Sequence, residues 1–143
     1  MIKHAVELAK ALDAEDYNGA ARHLAQRCTY EFRGRVIEGA EAIIAAYRAA
    51  GEQARDRFDT IRYESSVSPI GTTGVRVEYV DIVTLAGDTH SHRCVQEVLL
   101  DKEGLVSHIR HIDVEGELEA LQRFEERHAE PDSGEEPLAR QCD

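Results

Sequence analysis

The sequence predicts an α+β fold in which helices come first and an antiparallel sheet follows. Apolar residues recur at helical spacing through the first third of the chain, as in Ile2, Val6 and Leu12. From Phe58 onward, apolar and polar residues alternate, which is typical of strands that bury one face. Short turns with glycine separate these strands, so an antiparallel meander is favoured over parallel strands joined by helices.

The first third contains three helical segments and two short strands. Asp16 follows a polar break and is a suitable N-cap for the second helix, because its carboxylate can accept from a free N–H of the first turn. Gly34 marks a turn between the two strands, and Gly39 precedes the third helix. The helices are expected over residues 2–12, 17–26 and 40–57, and the strands over 28–33 and 35–38.

Four longer strands and a last helix complete the expected domain. The strands are expected over residues 58–67, 75–85, 89–100 and 105–112, and the helix over 114–128. The stretch that follows has few apolar residues and two prolines, which is typical of a disordered tail. We therefore expect one domain over residues 1–128 and an acidic disordered tail over 129–143.

Composition narrows the classes of partner. The chain has 143 residues and a formal net charge of −11, which argues against a nucleic-acid binder or a protein that docks on anionic lipid. No apolar run approaches the roughly 20 residues that a bilayer requires. The three cysteines follow no metal-binding spacing. We expect free thiols, a reducing compartment and a cytoplasmic protein.

Two segments resemble the nuclear transport factor 2-like superfamily, in particular its SnoaL-like members, the polyketide cyclase and ketosteroid isomerase-like proteins. One is Ala11-Leu-Asp-Ala-Glu-Asp-Tyr-Asn-Gly19, which runs on to Cys28-Thr-Tyr-Glu31. The other is Gly104-Leu-Val-Ser-His-Ile-Arg-His-Ile-Asp113. The resemblance implies a cone, in which a curved antiparallel sheet wraps around the N-terminal helices and encloses a pocket. It also implies small-molecule binding without an organic cofactor, but no single activity.

The catalytic positions of ketosteroid isomerases can be tested in this chain. That family uses a tyrosine in the first helix, a base in the first strand and a protonated acid in the third meander strand. An ungapped match places these at Leu8, Phe32 and Gln96. None of the three has the required chemistry, so we expect no typical ketosteroid isomerase.

Alternation along the strands predicts which polar side chains face the pocket. Asp81 lies in the middle of the more apolar face of its strand. Hairpin geometry places Asp81, Cys94 and His111 in one row across three strands, with His92 and Asp113 in the next row. A carboxylate beside a partly desolvated imidazole suits acid–base catalysis near neutral pH.

We therefore expect a catalytic group of Asp81, His111 and Asp113. His111 would donate or accept the proton, and one of the two aspartates would act as base or orient the imidazole. Tyr79 and Gln96 would hydrogen-bond a substrate oxygen. The full set of expected substrate-binding residues is Tyr79, His92, Cys94, Gln96, Tyr47 and Phe32. No metal is required, and the expected reaction is of the cyclase, isomerase or hydrolase type.

Several alternatives remain open from the sequence. The polar groups could satisfy one another at a semi-polar end of the core. Cys94 with His111 and Asp81 has the composition of a cysteine-nucleophile triad. A metal could be held by His90, His92, His111 and Asp113. The domain could also bind a ligand or a protein without catalysis. A homodimer through the outward sheet face is expected, with apolar area from Val80, Ile82, Val95 and Leu99.

Overall fold

A computed structural model describes residues 2–129, which form four helices and six strands. The helices are α1 (Lys3–Asp13), α2 (Tyr17–Ala21), α3 (Ala40–Arg57) and α4 (Glu117–Arg127). The strands are β1 (Leu24–Phe32), β2 (Arg35–Glu38), β3 (Thr60–Ile70), β4 (Gly74–Leu85), β5 (Asp88–Leu100) and β6 (Val106–Asp113). The expected tail lies outside the described residues, apart from Ala129.

The strands form one curved, unclosed sheet in the order β2-β1-β6-β5-β4-β3, which confirms the α+β prediction. Neighbouring strands are antiparallel except β1 and β6, which run parallel. α3 carries the chain from β2 at one edge of the sheet to β3 at the other. α1 packs against β3 and α3 packs against β1, so the helices bridge the two halves of the sheet.

The second helix is shorter than expected. Asp16 does cap it, since its side chain accepts from the N–H of Gly19 at 3.0 Å. The prediction that this helix continues to residue 26 is wrong, because α2 ends at Ala21 and β1 begins at Leu24. Leu24 pairs with Val106 of β6, a partner 82 positions away in the sequence. This long-range pairing outweighs the local helical propensity.

Two apolar clusters fill the space between the curved sheet and the helices. The larger one, the helix core, joins α1, α2 and α3 to the sheet and includes Leu8, Ile43 and Tyr79. The smaller one, the α4 cluster, consists of Ala54, Phe58, Val83, Leu121 and Phe124. On β4, Asp81 lies between Tyr79 of the helix core and Val83 of the α4 cluster. Asp81 and its buried strand neighbour His92 therefore form a polar layer between the two clusters.

No helix within residues 2–129 is long and apolar enough to cross a membrane.

Candidate functional site

The inward face of the meander carries the polar residues that alternation predicted. Val77, Tyr79, Asp81 and Val83 of β4 are buried, and the residues between them are not. On β5 the buried inward residues are His92, Cys94, Gln96, Val98 and Leu100. His111 of β6 is also buried. These predicted faces are correct.

The predicted rows across the strands are wrong. Asp81 pairs with His92, and Tyr79 pairs with Cys94. Across the next hairpin, Cys94 pairs with Asp113 and Gln96 pairs with His111. Asp81, Cys94 and His111 therefore do not share a row. Each register differs from the predicted one by two residues, which preserves the faces and changes the neighbours.

Turn geometry explains the difference. The β4–β5 hairpin has a two-residue loop, Ala86 and Gly87, because Leu85 already pairs with Asp88. Both loop residues have positive φ, 50° and 81°, as a tight turn between twisted strands requires. The sequence predicts a three-residue turn there. Because alanine rarely adopts positive φ, nothing in the sequence indicates a two-residue loop that begins at Ala86. The β5–β6 hairpin contains an irregularity between Leu99 and Leu100. It shifts the register of the pairs that lie farther from the turn, from Leu99–His108 to Cys94–Asp113.

His111 and Asp113 form a dyad at the end of β6. The Nε2 atom of His111 lies 2.6 Å from Oδ1 of Asp113. Arg33 donates to the same carboxylate, from Nε to Oδ2 at 2.9 Å and from Nη2 to Oδ1 at 2.8 Å. The His111 side chain is 1% exposed. Its Nδ1 atom is buried and has no hydrogen-bond partner among the described residues.

The electrostatics of the dyad favour a neutral imidazole beside an ionised carboxylate. Partial burial raises the pKa of Asp113, but hydrogen bonds from Arg33 and His111 outweigh this effect and lower it to about 2. Burial lowers the pKa of His111, against the raising effect of Asp113. An ionised carboxylate only accepts hydrogen bonds, so Nε2 carries the proton. Nδ1 then has a free lone pair inside the cone.

We expect the free energy of unfolding to fall as the pH is lowered from about 7.5 to 5. Burial lowers the pKa values of His23, His90 and His111 from 6.5 in the folded protein. The unfolded chain therefore takes up these protons at a higher pH than the folded one. Their contribution to stability is complete well above pH 6.5, at about pH 7.5, and is lost as the pH falls through 6.5 toward the lower folded values. Urea unfolding at several pH values measures this, and His111→Gln should flatten the slope. A stability that rises on acidification would contradict it.

His92 is a second unpartnered group in the polar layer. It is 1% exposed, and neither ring nitrogen has a hydrogen-bond partner among residues 2–129. Its strand neighbour across the sheet is Asp81, which is fully buried. On the α4 side, the His90 ring stacks on Phe124 with centroids 5.1 Å apart. Buried polar atoms are rarely left unpaired unless a ligand or solvent meets them, so His92 is a candidate binding position.

Two of the expected substrate-binding residues instead bond each other. Tyr47 donates from its hydroxyl to Oε1 of Gln96 at 3.2 Å. Gln96 donates from Nε2 to the hydroxyl of Tyr30 at 3.1 Å. The alternative in which polar groups satisfy one another therefore applies to this part of the site. Tyr30 was missed by the sequence reasoning, although the alternation of Cys28, Tyr30 and Phe32 on β1 could have identified it.

The remaining expected binding residues, Tyr79 and Phe32, belong to the helix core. Tyr79 is 2% exposed. The centroids of the Phe32 and Tyr30 rings lie 5.2 Å apart, and the Arg35 guanidinium lies 4.7 Å from the centre of the Phe32 ring. Both aromatic rings can therefore contribute apolar contact surface.

The cysteine and metal alternatives gain no support from the described residues. Cys94 is disulfide-bonded, so the expectation of free thiols is wrong for this residue, and it offers no thiolate nucleophile. Cys28 is a free thiol, but burial raises its pKa to about 12. Within residues 2–129, no group of three or more histidine, cysteine or acidic side chains is arranged to hold a metal ion.

The sequence matches no protein-family model and no curated protein. Several solved structures, however, have the same fold. A Xanthomonas campestris protein proposed to be a polyketide cyclase matches with a TM-score of 0.62 and 15% identity, over 89% of this chain and 95% of that one. A Mycobacterium tuberculosis LEH-like epoxide hydrolase matches with a TM-score of 0.61 and 20% identity, over 85% and 89%.

A third match was crystallised with a ligand. The Mycobacterium tuberculosis protein RV0760c, in complex with estradiol-17beta-hemisuccinate, matches with a TM-score of 0.58 and 17% identity, over 80% of this chain and 93% of that one. At these identities, the similarity establishes the fold only. The activity of this chain has to be inferred from its own side chains.

Proposed function

Because the chain has the nuclear transport factor 2-like fold that the sequence resemblance implied, we propose that it binds a mostly apolar small molecule inside the cone. We further propose that it acts on this molecule by acid–base chemistry, as a cyclase, isomerase or hydrolase type of enzyme. The fold supports the first part, since structural neighbours such as RV0760c were crystallised with small molecules. The second part depends on the residues of this chain.

The observation that carries the proposal is the state of His111. One ring nitrogen is fixed by the Asp113 carboxylate at 2.6 Å, and the other is buried and unpartnered among the described residues. In this role Nδ1 accepts a proton from an acidic C–H or O–H of the substrate, and Asp113 stabilises the imidazolium that forms. The proton then returns to another atom of the product. Asp113 orients the imidazole and remains ionised throughout.

His92 and Asp81 supply the second half of the proposed site. His92 hydrogen-bonds a polar group of the substrate, since both of its ring nitrogens are buried without partners among residues 2–129. Asp81, its neighbour across the sheet, is the second proposed acid–base group. Tyr79, Cys94 and Phe32 contribute contact surface. The bonded pair of Tyr47 and Gln96 lies next to the site, since Gln96 pairs with His111. The proposed chemistry needs no organic cofactor or metal.

Ligand binding is tested directly with a panel of apolar compounds that bear a hydroxyl, enone or epoxide group. We expect at least one to raise the thermal midpoint, with its affinity measured by calorimetry. His92→Leu should then weaken binding about 3- to 10-fold, the effect of losing one hydrogen bond. His108→Leu is the matched control, because His108 bonds Thr29 at 2.6 Å on the other face of β6. Equal affinity in wild type and His92→Leu would refute the assigned role.

A non-catalytic binding or interaction domain is the second proposed function. The hydrogen bonds that link Tyr30, Gln96 and Tyr47 favour this function, because these side chains are hydrogen-bonded to one another without a substrate. A homodimer through the outward sheet face also remains a proposal. Leu99 is 50% exposed on that face and can contribute apolar area to it. Val95 is only 4% exposed, so it is buried within the single chain and contributes little. Tight ligand binding with no turnover of any panel compound would favour this function.

A further inference from the structure

We infer that Arg33 is a positioning residue, which holds the Asp113 carboxylate so that the His111 imidazole keeps the orientation and the protonated nitrogen that proton transfer requires. This inference rests on the proposed function only for its catalytic consequence. The arrangement of the three side chains can be tested without any substrate.

The geometry of the carboxylate carries the inference. Arg33 uses two nitrogens of its guanidinium, Nε and Nη2, at 2.9 and 2.8 Å from the two oxygens of Asp113. Such a forked pair fixes the plane of the carboxylate as well as its position. The same Oδ1 atom also lies 2.6 Å from Nε2 of His111. A rotation of the carboxylate would therefore break the bonds to both partners.

The three side chains connect the protein surface to its interior. The side chains of Arg33 and Asp113 are 33% and 32% exposed, whereas that of His111 is 1% exposed. Without its fork, Asp113 could turn toward solvent, since a carboxylate is better hydrated there than beside a buried ring. Arg33 thus keeps a partly exposed carboxylate directed at a buried imidazole.

Arg33 lies in the tight two-residue turn between β1 and β2. Arg33 has a φ of 45° and is followed by Gly34 with a φ of 80°, and Phe32 pairs directly with Arg35. A two-residue turn between twisted strands requires positive φ at both residues, so this conformation follows from the hairpin itself. Parallel pairing of β1 with β6, with Glu31 opposite Arg110, brings this turn beside the end of β6.

Arg35 provides a matched control on the same turn. Its guanidinium lies 4.7 Å from the centre of the Phe32 ring, a contact of a different kind from the carboxylate fork. Arg35→Gln removes the same charge from the same hairpin as Arg33→Gln. A general effect of charge on the turn would therefore appear in both variants.

The experiment follows the Nε2–H proton of His111 by NMR in protein with 15N-labelled histidine. In wild type, we expect a slowly exchanging Nε2–H resonance. Arg33→Gln should speed its exchange with solvent at least 10-fold, and Arg35→Gln should leave it within 2-fold. Arg33→Lys keeps the charge without the fork, so it should restore less than half of the protection. Circular dichroism and the thermal midpoint confirm that each variant is folded.

Two results would overturn the inference. One is an unchanged exchange rate in Arg33→Gln, and the other is full protection in Arg33→Lys, which would reduce the role of Arg33 to its charge. If a substrate is found, Arg33→Gln should lower kcat at least 10-fold with KM within 2-fold. Wild-type protein that shows the protected resonance but turns over no compound would contradict the proposed function and leave the positioning role standing.

Discussion

Replacing His111 by glutamine is expected to lower turnover about 100- to 10,000-fold, the usual contribution of a general acid–base group. Glutamine can still donate from its amide to Asp113, so the carboxylate keeps its partners. It has no basic nitrogen, however, and cannot accept the substrate proton. The measurement is kcat/KM for a compound that the binding panel identifies, across pH 5 to about 9.

The control for this variant is His108→Gln. Both histidines lie on β6, but His108 bonds Thr29 and Glu31 lies 3.5 Å from its other nitrogen. We expect His108→Gln to keep turnover within about 3-fold, because its side chain contacts no part of the proposed site. Turnover of His111→Gln within 3-fold of wild type would exclude His111 as the acid–base group.

Replacing Gln96 by leucine is expected to lower the free energy of unfolding by about 1–3 kcal/mol. The two side chains are similar in volume, so the effect comes from hydrogen bonding. The Tyr47 hydroxyl loses its acceptor, and the Tyr30 hydroxyl loses the donor at 3.1 Å. Removing the acceptor of a buried hydroxyl costs about 1–3 kcal/mol, whereas the Tyr30 hydroxyl keeps a partner because it also hydrogen-bonds Tyr47. Urea unfolding followed by circular dichroism measures the loss.

A combined variant separates unpaired groups from altered packing. Gln96→Leu together with Tyr30→Phe and Tyr47→Phe removes both ends of each hydrogen bond. Replacing all partners by apolar groups of similar shape is often nearly neutral. We therefore expect the combined variant to regain at least half of the lost stability. A single Gln96→Leu variant within 1 kcal/mol of wild type would show that these hydrogen bonds contribute little.

Side-chain periodicity alone was enough to predict which residues face the interior. The side chains of a strand alternate with a period of two, so a register error of two residues leaves every face unchanged. This is why the prediction placed Asp81, His92 and His111 on the buried side, although it paired them wrongly. Helix and strand types followed from the same periodicities, and the acidic N-cap at Asp16 was visible because its chemistry is local.

The rows of the site were decided by turn conformation and by pairing over long distances. The positive φ at Ala86 and the irregularity after Leu99 set the actual neighbours, and neither has a clear local signal. The end of α2 followed from the pairing of Leu24 with β6, which no local pattern reveals.

The dyad of His111 and Asp113 shows most clearly which features the sequence predicts and which depend on the folded sheet. His111 and Asp113 are two residues apart on one strand, so the sequence placed them on one face of the sheet. Arg33 stands 80 positions earlier, and its bond to Asp113 exists because β1 and β6 lie side by side in parallel. Local periodicity thus established the elements and their buried faces, since it acts between residues close in the chain. The partners of each polar group depend on how distant strands pack, and only the folded sheet brings those strands together.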